Sequence, residues 1–129
     1  MLMTENKATD SSPEIDFDHL NLYVDGDPDL TAELFSLFQN QCETWMKMIS
    51  MDVDADMFSS AAHTLKGTAQ AVGAMRLAHL CQQAEDHHEM KGTKGRKAQL
   101  IQDIEFTVSR VVTEIKRWEH RRMIAKLDS

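Results

Sequence analysis

The chain has 129 residues, 42% of them apolar, and a net charge of −7. That length suits one domain with a modest core, and the acidic balance disfavours a general nucleic-acid binder, which needs a basic surface. Two prolines and five glycines are few for a turn-rich β-sandwich; nine methionines and long 3.6-residue periodicity predict an all-α protein.

Residues 1–14 are polar and are expected to form a disordered tail. They lack the basic segment and apolar core of a signal peptide, and no stretch approaches the roughly 18 apolar residues of a membrane span. The expectation is a cytoplasmic protein with no membrane partner. A short helix is predicted over Phe17–Val24, ended by Asp25-Gly26. Asp27-Pro28 then reads as an N-cap with proline at the first helical position. The helix they start is expected to reach Ser50, with Leu30, Leu34, Leu37, Phe38, Trp45, Met48 and Ile49 on one face.

A second long helix is predicted over residues 55–71 and is broken by Gly73. A third, over 74–90, carries Leu77, Leu80, Cys81, Ala84 and His88 on its apolar stripe. Lys91-Gly92-Thr93-Lys94-Gly95 reads as a turn. The last helix is expected to start near Arg96 and to carry Leu100, Ile101, Ile104, Val108, Val111, Ile115 and Trp118 on its apolar stripe; beyond Trp118 the stripe fades, so residues 121–129 should project into solvent. Short connections favour antiparallel neighbours, hence an up-down-up-down antiparallel four-helix bundle over residues 15–120 with a short extra N-terminal helix. A monomer is expected.

Cys42 and Cys81 make no disulfide framework and no C-x-x-C pair, and both fit small core positions. The basic clusters Lys91, Lys94, Arg96, Lys97 and Lys116, Arg117, Arg121, Arg122 read as a solvated turn and a solvated helix end.

The chemistry concentrates on the helix over 55–71. At about 100° per residue, Phe58, Ala61, Ala62, Leu65, Thr68, Ala69 and Val72 make one stripe that must face a core. His63 lies about 160° from Leu65 on that wheel. Its neighbours on the far side are Ser59, Ser60, Lys66, Gly67 and Gln70, a patch without carboxylates that forms a candidate binding surface. Lys66 sets a cation one turn from His63. Gly67 costs the helix about 1 kcal/mol relative to alanine, and its missing side chain leaves the imidazole open to approach. A solvent-facing imidazole is a competent nucleophile near neutral pH.

Two other classes remain. Glu85-Asp86-His87-His88 contains one Glu-x-x-His, but a dimetal bundle needs two such motifs and further glutamates; no metal is expected. The fold could also serve as a non-catalytic helical interaction module.

The run His63-x-Leu65-Lys66-Gly67, followed by Gly73, Leu77, Cys81 and Glu85, resembles the histidine-containing phosphotransfer (HPt) domain, and the length resembles a free-standing bacterial member. The resemblance implies a phosphorelay intermediate: His63 accepts a phosphoryl group from a receiver-domain aspartate and passes it to another receiver. It implies that Lys66 and Gly67 help hold the phosphoryl group and open the approach. The implied partners are receiver domains of a hybrid histidine kinase and/or a response regulator. Mg²⁺ is expected from the receiver, with no cofactor of the chain's own. The chain also lacks a glycine-rich ATP loop, so no kinase activity of its own is expected. Gln70 and Ala84 stand where the family often has a small residue and leucine.

Overall fold

The computed structural model describes residues 13–128, all of whose regular elements are helical. They are α1 (Phe17–Val24), α2 (Pro28–Trp45), α3 (Ala55–Val72), α4 (Met75–Asp86) and α5 (Lys94–Asp128), with a single 3₁₀ turn at Met46–Met48. The expected tail lies outside the described residues up to residue 12. Glu14 is held fast: its carboxylate meets Arg76 and Arg110, and the Glu14 and Ile15 amides donate to the Glu114 carboxylate at 3.0 and 2.9 Å.

Aspartates start three helices. The Asp16 carboxylate accepts from the His19 amide, Asp27 from the Asp29 and Leu30 amides, and Asp54 from the Met57 amide. Each satisfies donors that a helix start leaves unpaired. Gly73 closes α3 at φ +82°, and its amide donates to the Ala69 and Gln70 carbonyls.

Contacts that run in reverse order along α3–α4 and along α2–α5 make those pairs antiparallel. Lys66 meets Gln82 while Ser59 meets the Glu85 carbonyl, and Phe35 packs on Trp118 while Arg122 reaches the Pro28 carbonyl. The core joins Ile15 and the α1 residues Leu20 and Val24 to Phe35, Phe38, Leu65, Leu77, Ile104 and Ile115. Cys42 and Cys81 are buried there, and burial pushes both thiols up to about 12, so neither supplies a reactive thiolate.

Several boundaries and faces differ from expectation. The α2 stripe is Thr31, Phe35, Phe38 and Cys42; Leu30 and Leu37 lie outside it, 41% and 52% exposed. The ring of Phe35 is gripped edge-on by Phe17 and Trp118, a pairing that periodicity alone does not reveal. Helix α4 stops at Asp86, so His88 sits in the following turn and is exposed, off the apolar stripe. There the His87 ring lies over Gly92 and its Nε2 donates to the Thr93 carbonyl at 2.8 Å. Lys97, expected in solvent, lays its ammonium 4.5 Å from the Phe58 ring centre. Helix α5 starts at Lys94 and continues to Asp128, with Arg122 turned back onto Asp29. Among the described residues, no helix is long and apolar enough to cross a membrane.

Candidate functional site

Helix α3 divides its residues sharply. Phe58, Ala61, Ala62, Leu65, Ala69 and Val72 are buried. The His63 side chain is 65% exposed on the opposite face. The phase that apolar periodicity dictates therefore places this imidazole at the surface.

Three side chains from α4 build around it. His63 Nδ1 lies 2.9 Å from Glu85 Oε2, and Lys66 Nζ donates to Glu85 Oε1 at 2.9 Å. Lys66 Nζ also donates to Gln82 Oε1 at 2.7 Å, and Gln82 Nε2 donates to Asp86 Oδ2 at 2.8 Å. Burial of the Glu85 carboxyl works to raise its pKa, but hydrogen bonds from Lys66 and His63 outweigh it and hold the group below its ordinary range. Glu85 is therefore ionised at neutral pH.

An ionised carboxylate only accepts, so Nδ1 carries the proton in this pair. In the neutral imidazole the lone pair then resides on Nε2. No described residue engages Nε2. The α4 carboxylate thus holds the proton on Nδ1 and leaves Nε2 facing outward, while Lys66 neutralises the carboxylate beside it.

The other residues singled out from the sequence fall around this centre in different roles. Gly67 leaves open space: a Cβ there meets nothing within 4 Å. It borders a groove of about 330 Å³ between α2 and α3, lined by Leu34, Leu37, Thr64, Thr68 and Ala71 among others. Ser60 and Gln70 are exposed. Ser59 turns inward, its hydroxyl donating to the Glu85 carbonyl at 3.0 Å. The Gln70 carbonyl accepts from His19 Nε2 at 3.1 Å, which ties α1 to the end of α3. Glu85 is engaged by His63 and Lys66 while His88 lies past the end of α4, so the Glu-x-x-His spacing does not assemble a ligand pair. Among the described residues, no group of three or more His, Cys, Asp or Glu could hold a metal ion.

Sequence reasoning quoted Glu85 within the motif but did not see its contacts with His63 and Lys66, and it missed Gln82 altogether. With Gly73 as its turn, the arm carrying His63 and Lys66 folds back beside Gln82 and Glu85.

Comparison with known proteins agrees with this architecture. A family model described as Hpt domain matches residues 28–119. Histidine-containing phosphotransfer protein 2 of Arabidopsis thaliana is 36% identical over 95 residues, covering 66% of this chain and 59% of that protein. Histidine-containing phosphotransfer protein 5 of the same plant is 26% identical over 101 residues, covering 74% of this chain and 64% of that protein. The chain thus spans less than two thirds of the length of either curated relative. The crystal structure of histidine phosphotransferase ShpA from Caulobacter crescentus superposes with a TM-score of 0.71 at 22% identity, covering 88% of this chain and 98% of that one. At that identity the likeness establishes the fold.

Proposed function

The chain belongs to the Hpt domain family, and on that footing we propose that it is a phosphorelay intermediate whose phosphoryl carrier is His63. The observation that carries this reading is the exposed imidazole whose Nδ1–H is held by Glu85 while Nε2 stays open. Family membership alone would not say which nitrogen reacts; the hydrogen bond to Nδ1 favours Nε2.

The step needs no general base. Nε2 of the neutral ring attacks the phosphorus of a receiver's aspartyl phosphate. The N–P bond forms, the P–O bond to the aspartate breaks, and the carboxylate leaves with its electron pair. Nδ1 keeps its proton, so the ring becomes a phosphorylated imidazolium. Glu85 stabilises that new positive charge, and the reverse sequence delivers the group to a second receiver. Such transfer depends mainly on positioning and charge stabilisation.

Lys66 neutralises Glu85 at rest and supplies a cation near the incoming phosphoryl oxygens. Gly67 and the groove beside it let a receiver approach. Exposed Leu37 and the side chains of Ser60 and Gln70 border that approach. The partners are receiver domains of a hybrid kinase or a response regulator, and the receiver brings the Mg²⁺. The chain itself acts in the cytoplasm as a monomer, with no cofactor, nucleic-acid partner or kinase activity of its own.

The test is transfer from a receiver domain charged with phosphate on its aspartate. Acid-labile, base-stable phosphate on His63 is expected. Label on His79, His87 or His88, or none, defeats the reading.

A further inference from the structure

We infer that Gln82, with its amide orientation fixed by Asp86, is a positioning residue of the transfer site that anchors Lys66 on Glu85 and so keeps His63 Nε2 directed outward. The inference rests on the phosphotransfer reading above. It adds two residues that the family motif does not contain.

Distances and chemistry carry it. Five side chains form one chain of hydrogen bonds: His63 to Glu85, Glu85 to Lys66, Lys66 to Gln82, and Gln82 to Asp86. Lys66 is the hinge of this chain, and its side chain is only 19% exposed. A flexible lysine has four carbons of freedom and no fixed direction of its own. With Glu85 as sole partner, the ammonium could swing toward either carboxylate oxygen or into solvent. The 2.7 Å contact to Gln82 Oε1 removes that freedom. It leaves Glu85 Oε2 free for His63 Nδ1.

A primary amide can point either face at the lysine, and only the oxygen accepts. Asp86 decides which. Its carboxylate accepts from Gln82 Nε2 at 2.8 Å, so Oε1 must face Lys66. Gln82 and Asp86 stand four residues apart on α4, on one helical face. The reversed amide would set its N–H₂ against the ammonium and its oxygen against a carboxylate. Asp86 thus acts on His63 through three intermediates, without touching it.

This arrangement also assigns Lys66 its resting task. Its charge is committed to the Glu85 carboxylate before any phosphoryl group arrives. The site therefore meets the phosphoryl dianion with its carboxylate already neutralised, so no uncompensated negative charge stands beside the nucleophile.

The experiment uses the full chain with a phosphorylated receiver and reads two quantities. One is the transfer rate. The other is the His63 tautomer from ring ¹⁵N shifts, which a merely structural role would not move. Gln82→Leu keeps side-chain volume but removes both contacts. It should slow transfer about threefold to tenfold, the loss of one charge-assisted hydrogen bond at a partly exposed site. It should also raise the fraction of rings protonated on Nε2, with the thermal midpoint unchanged. The double variant Gln82→Glu with Asp86→Asn rebuilds the anchor with its polarity exchanged. A carboxylate then faces Lys66, an amide donor faces the carboxylate, and net charge is conserved. It should restore both rate and tautomer.

An unchanged rate and tautomer in Gln82→Leu would overturn the inference. So would slowed transfer with an unchanged tautomer and no rescue by the exchanged pair, because Gln82 would then act on receiver docking. If the parent chain accepts phosphate from no receiver, the functional reading fails, while the tautomer measurement still decides the anchor.

Discussion

Gly67 lies within α3 and Gly73 caps its end, yet they are glycines for opposite reasons. Gly67 has ordinary helical geometry and open space where a Cβ would go. Gly73 adopts φ +82°, and a Cβ there would meet the Asp16 carbonyl oxygen at 2.6 Å. That oxygen cannot simply retreat, because the Asp16 amide donates to the Gly73 carbonyl at 2.9 Å. One glycine leaves a surface clear; the other lets the chain turn and lets the segment before α1 lie against it. A sequence motif therefore mixes two kinds of necessity, and position on the helix decides which applies. On the phosphorelay reading proposed above, outward positions serve transfer and inward ones serve folding.

The substitution expected to show the largest effect is His63→Gln. Transfer should vanish, while the unfolding free energy read in urea stays within about 0.5 kcal/mol of the parent, as for other exposed side chains. A large loss of stability there would erase the division between the two faces. Gly73→Ala should do the reverse. The left-handed backbone and the collision with Asp16 together cost about 2–4 kcal/mol, read by urea unfolding; a wild-type midpoint would show that the turn relaxes freely.

Gly67→Gln should sharpen the contrast between the glycines. The helix gains up to about 1 kcal/mol from losing a poor helix former, yet transfer should fall at least about tenfold because the groove edge is filled, an effect of the order seen when reacting groups are displaced. A normal rate would dismiss the idea that Gly67 clears an approach.

The smallest effect concerns pH. The Glu85 pKa is held below its ordinary value of 4.5. Its stabilising contribution is thus complete above 4.5 and is lost as pH falls through the lowered native value. Urea midpoints of the parent and Glu85→Gln should differ at neutral pH and converge in strong acid. A constant gap down to the acid limit would mean that ionised Glu85 contributes nothing to the fold.

Much of this was legible in the sequence because it is local. Asp27-Pro28 and Gly73 mark helix ends through caps that involve only near neighbours, and the phase of His63 follows from counting. The α2 face was not legible for a physical reason. Leu30 and Leu37 are as apolar as core leucines, and nothing local distinguishes an apolar side chain kept outside from one buried. Phe35 belongs in the core because Phe17 and Trp118 close on it from other helices. The same limit applied at the site. Glu85 stood in the recognised pattern, but its partners lie across the hairpin, and Gln82 carried no signal at all. His88 was placed on a stripe that ends before it, since α4 stops at Asp86 without a glycine or proline at that point.

The α3–α4 hairpin is also a ruler. His63 and Glu85 meet because each arm is measured from the same turn, whose shape Gly73 and the buried Ala74 define. Adding one residue between Gly73 and Leu77 would change no side chain in the site. It would advance α4 by about 1.5 Å and rotate it by about 100°. The helix would then have to choose between burying Leu77, Cys81 and Ala84 and presenting its carboxylate to the imidazole. Burial would win, since three apolar side chains outweigh one partly exposed hydrogen bond. Loop length in this hairpin is thereby tied to chemistry several helical turns away, and insertions there should be far less tolerated than in the turn between α4 and α5.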